Sequence, residues 1–188
     1  NLTPLNAPNW IDFYNLIHHC NHLQKYAPGI KVGSQANINR AMAQALWVRA
    51  YAYFCLLRIW GDAPIVLEPT ESAERPLPSR APAAEVMTQV LADIERSIAL
   101  VPENGIVNKN TISKPAAFAL KADALLWKAK VLGGGSADLE QVLVAADGAL
   151  STGISLLGNF ENVHSTAQRK NAEIILSLYF VRDEKSDH

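Results

Sequence analysis

With 188 residues, 49% of them hydrophobic, the chain is long enough to bury a core of its own or to form part of a larger one. Lysine and arginine number 17 against 18 aspartates and glutamates, and no helical stretch carries a basic stripe, which excludes the electrostatic footprint of a nucleic-acid binder. Two cysteines, Cys20 and Cys55, are too few for a disulfide framework; both lie in apolar helical runs, where a buried free thiol is the commoner state, with pairing in an oxidising compartment left open.

The chain opens at Asn1-Leu2-Thr3-Pro4 without a start methionine, so any targeting segment is expected upstream. Asn9 to Tyr26 reads as a first helix. Trp10, Tyr14, Ile17 and Asn21 fall at spacings of four, three and four and form one stripe, while Asn15, His18, His19 and His22 lie on or near the other side. Pro28-Gly29 ends it, and a polar loop leads to the stretch around which the chain is organised.

That stretch runs from Ala36 to Trp60. From Ala41 onward its only strongly polar side chains are Gln44, Arg49 and Arg58, and no glycine or proline interrupts it. A helix apolar on nearly every side is expected to be enclosed by other helices. A membrane span is excluded, since the longest uncharged run, Ala50 to Leu57, falls far short of the ~18 residues required. Gly61-Asp62-Ala63-Pro64 stops the helix. Arg49 sits mid-helix among apolar neighbours, where a bare guanidinium is too costly to bury, so a carboxylate such as Asp93 or Asp123 is expected to pair with it.

Ile65-Val66-Leu67 is a short extended segment, and Glu68 to Ala81, rich in proline and charge, is an irregular loop. Pro82 suits the first turn of a third helix whose apolar edge is Val86, Val90, Ile94, Ile98 and Val101. Pro102 closes it. Ser113 is a cap for a helix from Lys114 to Leu132, with Ala117, Leu120, Ala124, Trp127 and Val131 inward. Gly133-Gly134-Gly135 is a turn, and Ser136 can cap a helix to about Leu150, so these two form an antiparallel hairpin. Glu173 to Phe180 reads as a strand or extended segment. The expected fold is all-α: about five helices stacked as hairpins, tetratricopeptide-like, with long irregular loops, a short extended segment near the C-terminus and no clean repeat period.

Several blocks, in order, resemble the SusD/RagB family of outer-membrane nutrient-binding lipoproteins. Trp10-xxx-Tyr14-xx-Ile17-xxx-Asn21 is similar to its early helix. Leu46-Trp47-Val48-Arg49-Ala50-Tyr51-Ala52-Tyr53-Phe54, followed by Arg58-Ile59-Trp60-Gly61-Asp62-Ala63-Pro64-Ile65, resembles its most distinctive block. Arg80 to Glu85 with Asp93-Ile94 and Leu100-Val101-Pro102, then Ser113-Lys114-Pro115-Ala116-Ala117 with Leu120-Lys121-Ala122, and finally Asn171-Ala172-Glu173-Ile174-Ile175 complete the match. Ala81 departs from the serine or threonine cap the family usually has, and Leu139 to Val142 lack its frequent tryptophan.

The resemblance implies a non-catalytic protein of the outer membrane and cell surface that captures glycans or other nutrients. It would deliver them to a TonB-dependent transporter and touch the membrane only through an N-terminal lipid anchor outside this chain. Residues 1–188 would then be a single helical domain, a fragment of a larger SusD-like domain covering its tetratricopeptide-like half. Sugar faces stack on aromatic rings and amides bind hydroxyls, so Trp10, at a helix end, and Asn15, on the polar side, are the candidate ligand-binding residues, with the main site expected outside the fragment. Trp10 and Trp60 also fit core packing, and Trp47 and Trp127, inside apolar helices, are expected in the core. The rival reading is a helical-repeat scaffold that binds another protein and no glycan.

No catalytic motif emerges. His18 and His22, four apart, could face one zinc, but no third ligand stands at a recognisable spacing, and the cluster reads as a polar face without a metal. Gly133-Gly134-Gly135 follows a helix and lacks the phosphate-loop lysine, so no nucleotide or other cofactor is expected.

Overall fold

The structure, a computed structural model, describes residues 9–72, 78–150 and 153–178. Among these residues it is all-α. Helix α1 spans Ile11–Tyr26, α2 Gln35–Trp60, α3 Ala83–Leu100, α4 Lys114–Val131 and α5 Ser136–Leu150, with 3-10 turns at Ala27–Gly29, Phe160–Asn162 and Thr166–Gln168. Each helix packs on its neighbours in the chain: α1 on α2, α2 on α3, α3 on α4 and α4 on α5, while α2 barely reaches α4. That serial stacking is how helical hairpins bury faces they cannot bury alone.

The ends of the helices are set by specific hydrogen bonds, and the starts of α1, α3 and α5 are built differently from expectation. Helix α1 starts at Ile11 rather than Asn9, because the Asn9 side chain accepts from the Ile11 amide at 2.8 Å and so lies ahead of the first turn. Pro82 is the residue before α3 instead of part of its first turn, and neither it nor Ala81 supplies a cap. Asp62 does so from across the loop, its Oδ1 accepting from the Ala83 amide at 2.8 Å. An antiparallel bridge between Ala63 and Ala81 holds that cap in place, tying the stop of α2 to the start of α3. Ser136 opens α5 from inside; Asp138 does the capping, with Oδ2 accepting from Gly135 N at 3.2 Å and Oδ1 from Lys128 Nζ at 2.7 Å. A carboxylate is favoured there by the positive end of the helix dipole. Ser34 and Ser113 cap α2 and α4 with their hydroxyls, and Gly61, at φ 75°, ends α2.

The core is built from Leu46, Tyr53, Phe54 and Leu56 of α2, Ile17 of α1, and Val86, Met87, Val90 and Ile94 of α3, with Leu120 and Ala124 of α4 joining them. The organising helix is less enclosed than its composition suggests: Tyr51 is 48% and Ile59 52% exposed. Trp47 and Trp127, expected in the core, are half-buried at its edge, because α2 and α4 hardly meet and leave a seam between them. Both cysteines are free; Cys20 is buried and Cys55 only half-buried.

Past the bridge at Ala63, the segment 64–67 crosses the helices with no strand among the described residues to pair with, and side chains take over backbone hydrogen bonds at Pro64 and Val66. Tyr14 Oη donates to Pro64 O at 2.7 Å, and Asn21 Nδ2 to Val66 O at 2.9 Å. Tyr53 Oη does both jobs at Val66, donating to its carbonyl at 2.9 Å and accepting from its amide at 2.7 Å. The stripe read in α1 is thus a packing edge that ends in polar anchors. Glu173 to Leu178 starts in a turn, bends at Ile175 and forms no regular strand; Tyr179 and Phe180 lie outside the described residues. Its neighbour is the loop before α4, where Lys109 O accepts from Ser177 N at 2.8 Å, and a loop offers no continuous ladder.

Candidate ligand-binding surface

The strongest electrostatic feature is buried. Arg49 donates from Nε and Nη2 to the two carboxylate oxygens of Asp93, each at 2.7 Å, and from Nη1 to Asn21 Oδ1 at 2.7 Å. Arg49 is 3% and Asp93 0% exposed, and Gln89 Nε2 adds a bond to Asp93 Oδ1 at 3.0 Å. Of the two carboxylates expected for Arg49, Asp93 is the partner; Asp123 instead meets Arg58 at 3.4 Å on the surface. The fork-to-fork geometry gives each guanidinium nitrogen and both carboxylate oxygens a partner, and against the opposing pull of burial Asp93 holds the Arg49 guanidinium above its already high range. A cleft of about 440 Å³, with Lys25, Glu68 and Arg96 at its polar lining, opens beside this network. The network itself pins α1, α2 and α3 together and leaves no reactive group free.

The two sequence candidates are separated. They stand five residues apart, Trp10 at the N-cap of α1 and Asn15 within it, a spacing of about 140° around an ideal helix. Trp10 turns inward, stacking on Trp60 with ring centres 5.7 Å apart, meeting Tyr14 edge-on at 6.0 Å, and holding Arg80 5.1 Å from its ring centre. Its π-face is therefore largely occupied by protein. Asn15 is exposed on the far side.

An aromatic surface that the sequence reading missed lies on α2. Trp47 and Tyr51, one turn apart, stack with ring centres 5.4 Å apart and planes 7° from parallel. Trp47 is fixed from beneath, its Nε1 donating to Ala116 O at 3.2 Å, whereas Tyr51 presents itself to solvent. They line an open cleft of about 450 Å³ with Asp123, Glu173 and Ile174. The neighbouring Cys55, with partial burial, keeps the Tyr51 hydroxyl above its ordinary pKa, so it is a neutral donor and acceptor at physiological pH. A flat ring beside two carboxylates suits a ligand with an apolar face and hydroxyl edges. The signal in the sequence was the pair Trp47 and Tyr51 at i, i+4, which an otherwise apolar run disguised as core.

His18 and His22 meet with their Nε2 atoms 3.0 Å apart. Among the described residues, no group of three or more histidine, cysteine, aspartate or glutamate side chains is placed to hold a metal ion. Nor is any helix among them long and apolar enough to cross a membrane.

Comparison with known proteins accounts for this arrangement. Residues 2–126 match the SusD-like family described as "starch-binding associating with outer membrane". A SusD-like protein of Formosa agariphila is 26% identical over 181 residues, which are 94% of this chain and 32% of that protein. Among solved structures, NanU of B. fragilis superposes with a TM-score of 0.84 at 30% identity, over 95% of this chain and 36% of that one. A laminarin-binding SusD-like protein does so with a TM-score of 0.78 at 25% identity, over 91% and 37%. The chain thus spans about a third of the length of the relatives it matches. With the family match extending over residues 2–126 and the fold shared nearly end to end, the chain belongs to the SusD-like family.

Proposed function

We propose that this chain is the helical part of a larger SusD-like domain in a non-catalytic, glycan-binding lipoprotein of the outer membrane. There it would stand at the cell surface on an N-terminal lipid anchor and pass ligand to a TonB-dependent transporter. Membership of a family described as starch-binding and associated with the outer membrane supports the reading, as does the likeness to a laminarin-binding protein. The observation that carries it to this chain is the stacked Trp47–Tyr51 pair, exposed at Tyr51 and flanked by Asp123 and Glu173. A sugar ring lies its CH face on Tyr51 while its hydroxyls donate to the carboxylates. Trp10 and Asn15 remain secondary candidates, Trp10 being partly exposed and Asn15 exposed.

The test is calorimetry of a panel of α- and β-glucan oligosaccharides against this chain and against Tyr51→Ala, Trp10→Ala and Asn15→Ala. Loss of binding of roughly tenfold or more in Tyr51→Ala is expected, equivalent to about 1.4 kcal/mol. Loss confined to the α1 variants would move the site to the first helix. No binding across the panel, by this chain and by the longer protein alike, would favour the protein-scaffold reading.

A further inference from the structure

The nitrogen pair on α1 has the dimensions of a chelate. Zinc, nickel and copper sit about 2.0–2.1 Å from an imidazole nitrogen. Two such bonds spanning the 3.0 Å between His18 Nε2 and His22 Nε2 enclose an angle of about 94° at the metal. That is close to the right angle of octahedral and tetragonal sites and narrower than the tetrahedral value of about 109°. The rings lie 4.4 Å apart at 81°, and rotation about χ2, a soft torsion, can turn the hydrogen-bonded pair toward converging lone pairs. Both residues ride on the middle of a 16-residue helix, which fixes their separation before any ion arrives.

The geometry points to a bidentate site for a late first-row transition-metal dication at His18 and His22, with water completing the coordination. The site lies on the outer face of α1, apart from the Trp47–Tyr51 surface, and does not depend on the glycan reading. Among the described residues, the ionisable groups near the pair include His19, Lys25 and Tyr26 on α1 and Glu71 on the segment after α2. Glu71 is already held by Lys25 Nζ at 2.7 Å and by the Tyr26 hydroxyl, so the open positions fall to water.

One consequence sets this site apart from loose surface binding. His18 Nδ1 now accepts from the Thr70 amide at 3.3 Å, which requires that nitrogen to be unprotonated. Metal on Nε2 leaves the ring proton on Nδ1, facing another N–H. Binding therefore expels the Thr70 amide and detaches that contact between α1 and the segment after α2.

The experiment is calorimetric titration of this chain with zinc, nickel and copper chlorides separately, at pH 7.5 and pH 5.5. The expected result is one ion per chain, copper bound most tightly in line with the divalent series, and weakening at the lower pH as the imidazoles take up protons. His18→Gln and His22→Gln should each lose tenfold or more, and His19→Gln should change affinity less than twofold, with helicity by circular dichroism unchanged in all three. Zinc should also shift the Thr70 amide resonance in wild type and not in His22→Gln. Equal losses in all three variants, unchanged affinity in His18→Gln and His22→Gln, or one ion shared between two chains would overturn the site.

Discussion

Between α1, α2 and α3, charged and polar side chains are taken out of water and given partners: Arg49 with Asp93 and Asn21, Tyr53 with both backbone groups of Val66, Ser97 Oγ with Ala43 O at 2.8 Å, while Gln24, which donates to Met42 O at 2.8 Å, keeps its buried Oε1 without one. In the α4–α5 hairpin, burial on α5 rests on Ala145 and Ala149, while Leu143 and Val144 are 67% and 68% exposed. Both regions use amphipathic helices, and the hairpin sequence is no less apolar. The difference lies in closure. The first layer has a third helix and a crossing segment to complete it, so it can bury groups that need several partners at once. The hairpin is covered on one side only, so on α5 small alanines make the close contact and the larger Leu143 and Val144 stay in water, while its buried leucines, Leu120 and Leu125, belong to α4.

If that contrast is real, Arg49→Ala should be the costliest single change. It strands Asp93 at 0% exposure and frees Asn21, a loss of about 3–5 kcal/mol by urea unfolding. Asp93→Asn should come close to it, since the guanidinium then lacks its counter-charge. A loss under about 1 kcal/mol for Arg49→Ala would mean that water reaches the pair and that the first layer is no more closed than the hairpin.

Next comes Tyr53→Phe, which leaves the Val66 amide without its acceptor; its carbonyl keeps Asn21 Nδ2. A loss of about 1–3 kcal/mol is expected. The same hydroxyl sharpens the comparison through pH. Burial pushes Tyr53 up to about 12 from its ordinary 10, so the fold prefers the neutral phenol. Its contribution is full below pH 10 and is lost as pH rises from 10 through 12, a total on the order of 3 kcal/mol. Cys20, pushed up to about 11 by burial, adds a loss of the same sign starting near pH 9. Unfolding free energies at pH 8, 10 and 12 should fall steeply in wild type and less steeply in Tyr53→Phe. Parallel slopes would show that the phenol is already hydrated.

What was legible from the sequence follows the same division. Five helices, the break at Gly61-Asp62, the Arg49–carboxylate pair and the α4–α5 hairpin could be read because each rests on periodicity, a breaker residue or the cost of an unpaired charge. What could not be read depends on approach between distant elements. Asp62 capping α3 replaces a missing local cap over 21 residues. Trp47 looked like core because periodicity reports which residues are apolar, and only the gap between α2 and α4 decides that one edge stays open. Trp10 and Asn15 were chosen for residue type; the fold puts them on different sides of α1, which composition alone does not reveal.

Smaller effects are expected in the hairpin. At Gly148 an added Cβ would lie 2.8 Å from Phe118 Cγ, too close without movement of the ring. Overpacking costs about 1–3 kcal/mol, and replacing a helical glycine by alanine returns about 1. Gly148→Ala should therefore lose about 1 kcal/mol net; a gain would show that Phe118 has room to retreat.

The smallest effect belongs to Leu143 and Val144. Their side chains stand mostly in water, so Leu143→Gln removes little buried area and keeps a residue of similar helix propensity. The unfolding free energy of this chain should stay within about 0.5 kcal/mol of wild type. Repeating the measurement in the longer protein makes the substitution informative. If the remaining two-thirds of that protein pack on α5, the same change there buries an amide against apolar surface and costs about 1–3 kcal/mol. An equally small loss in both would place the outer face of α5 in solvent in the whole protein as well, and the open side of the hairpin would then be its finished surface.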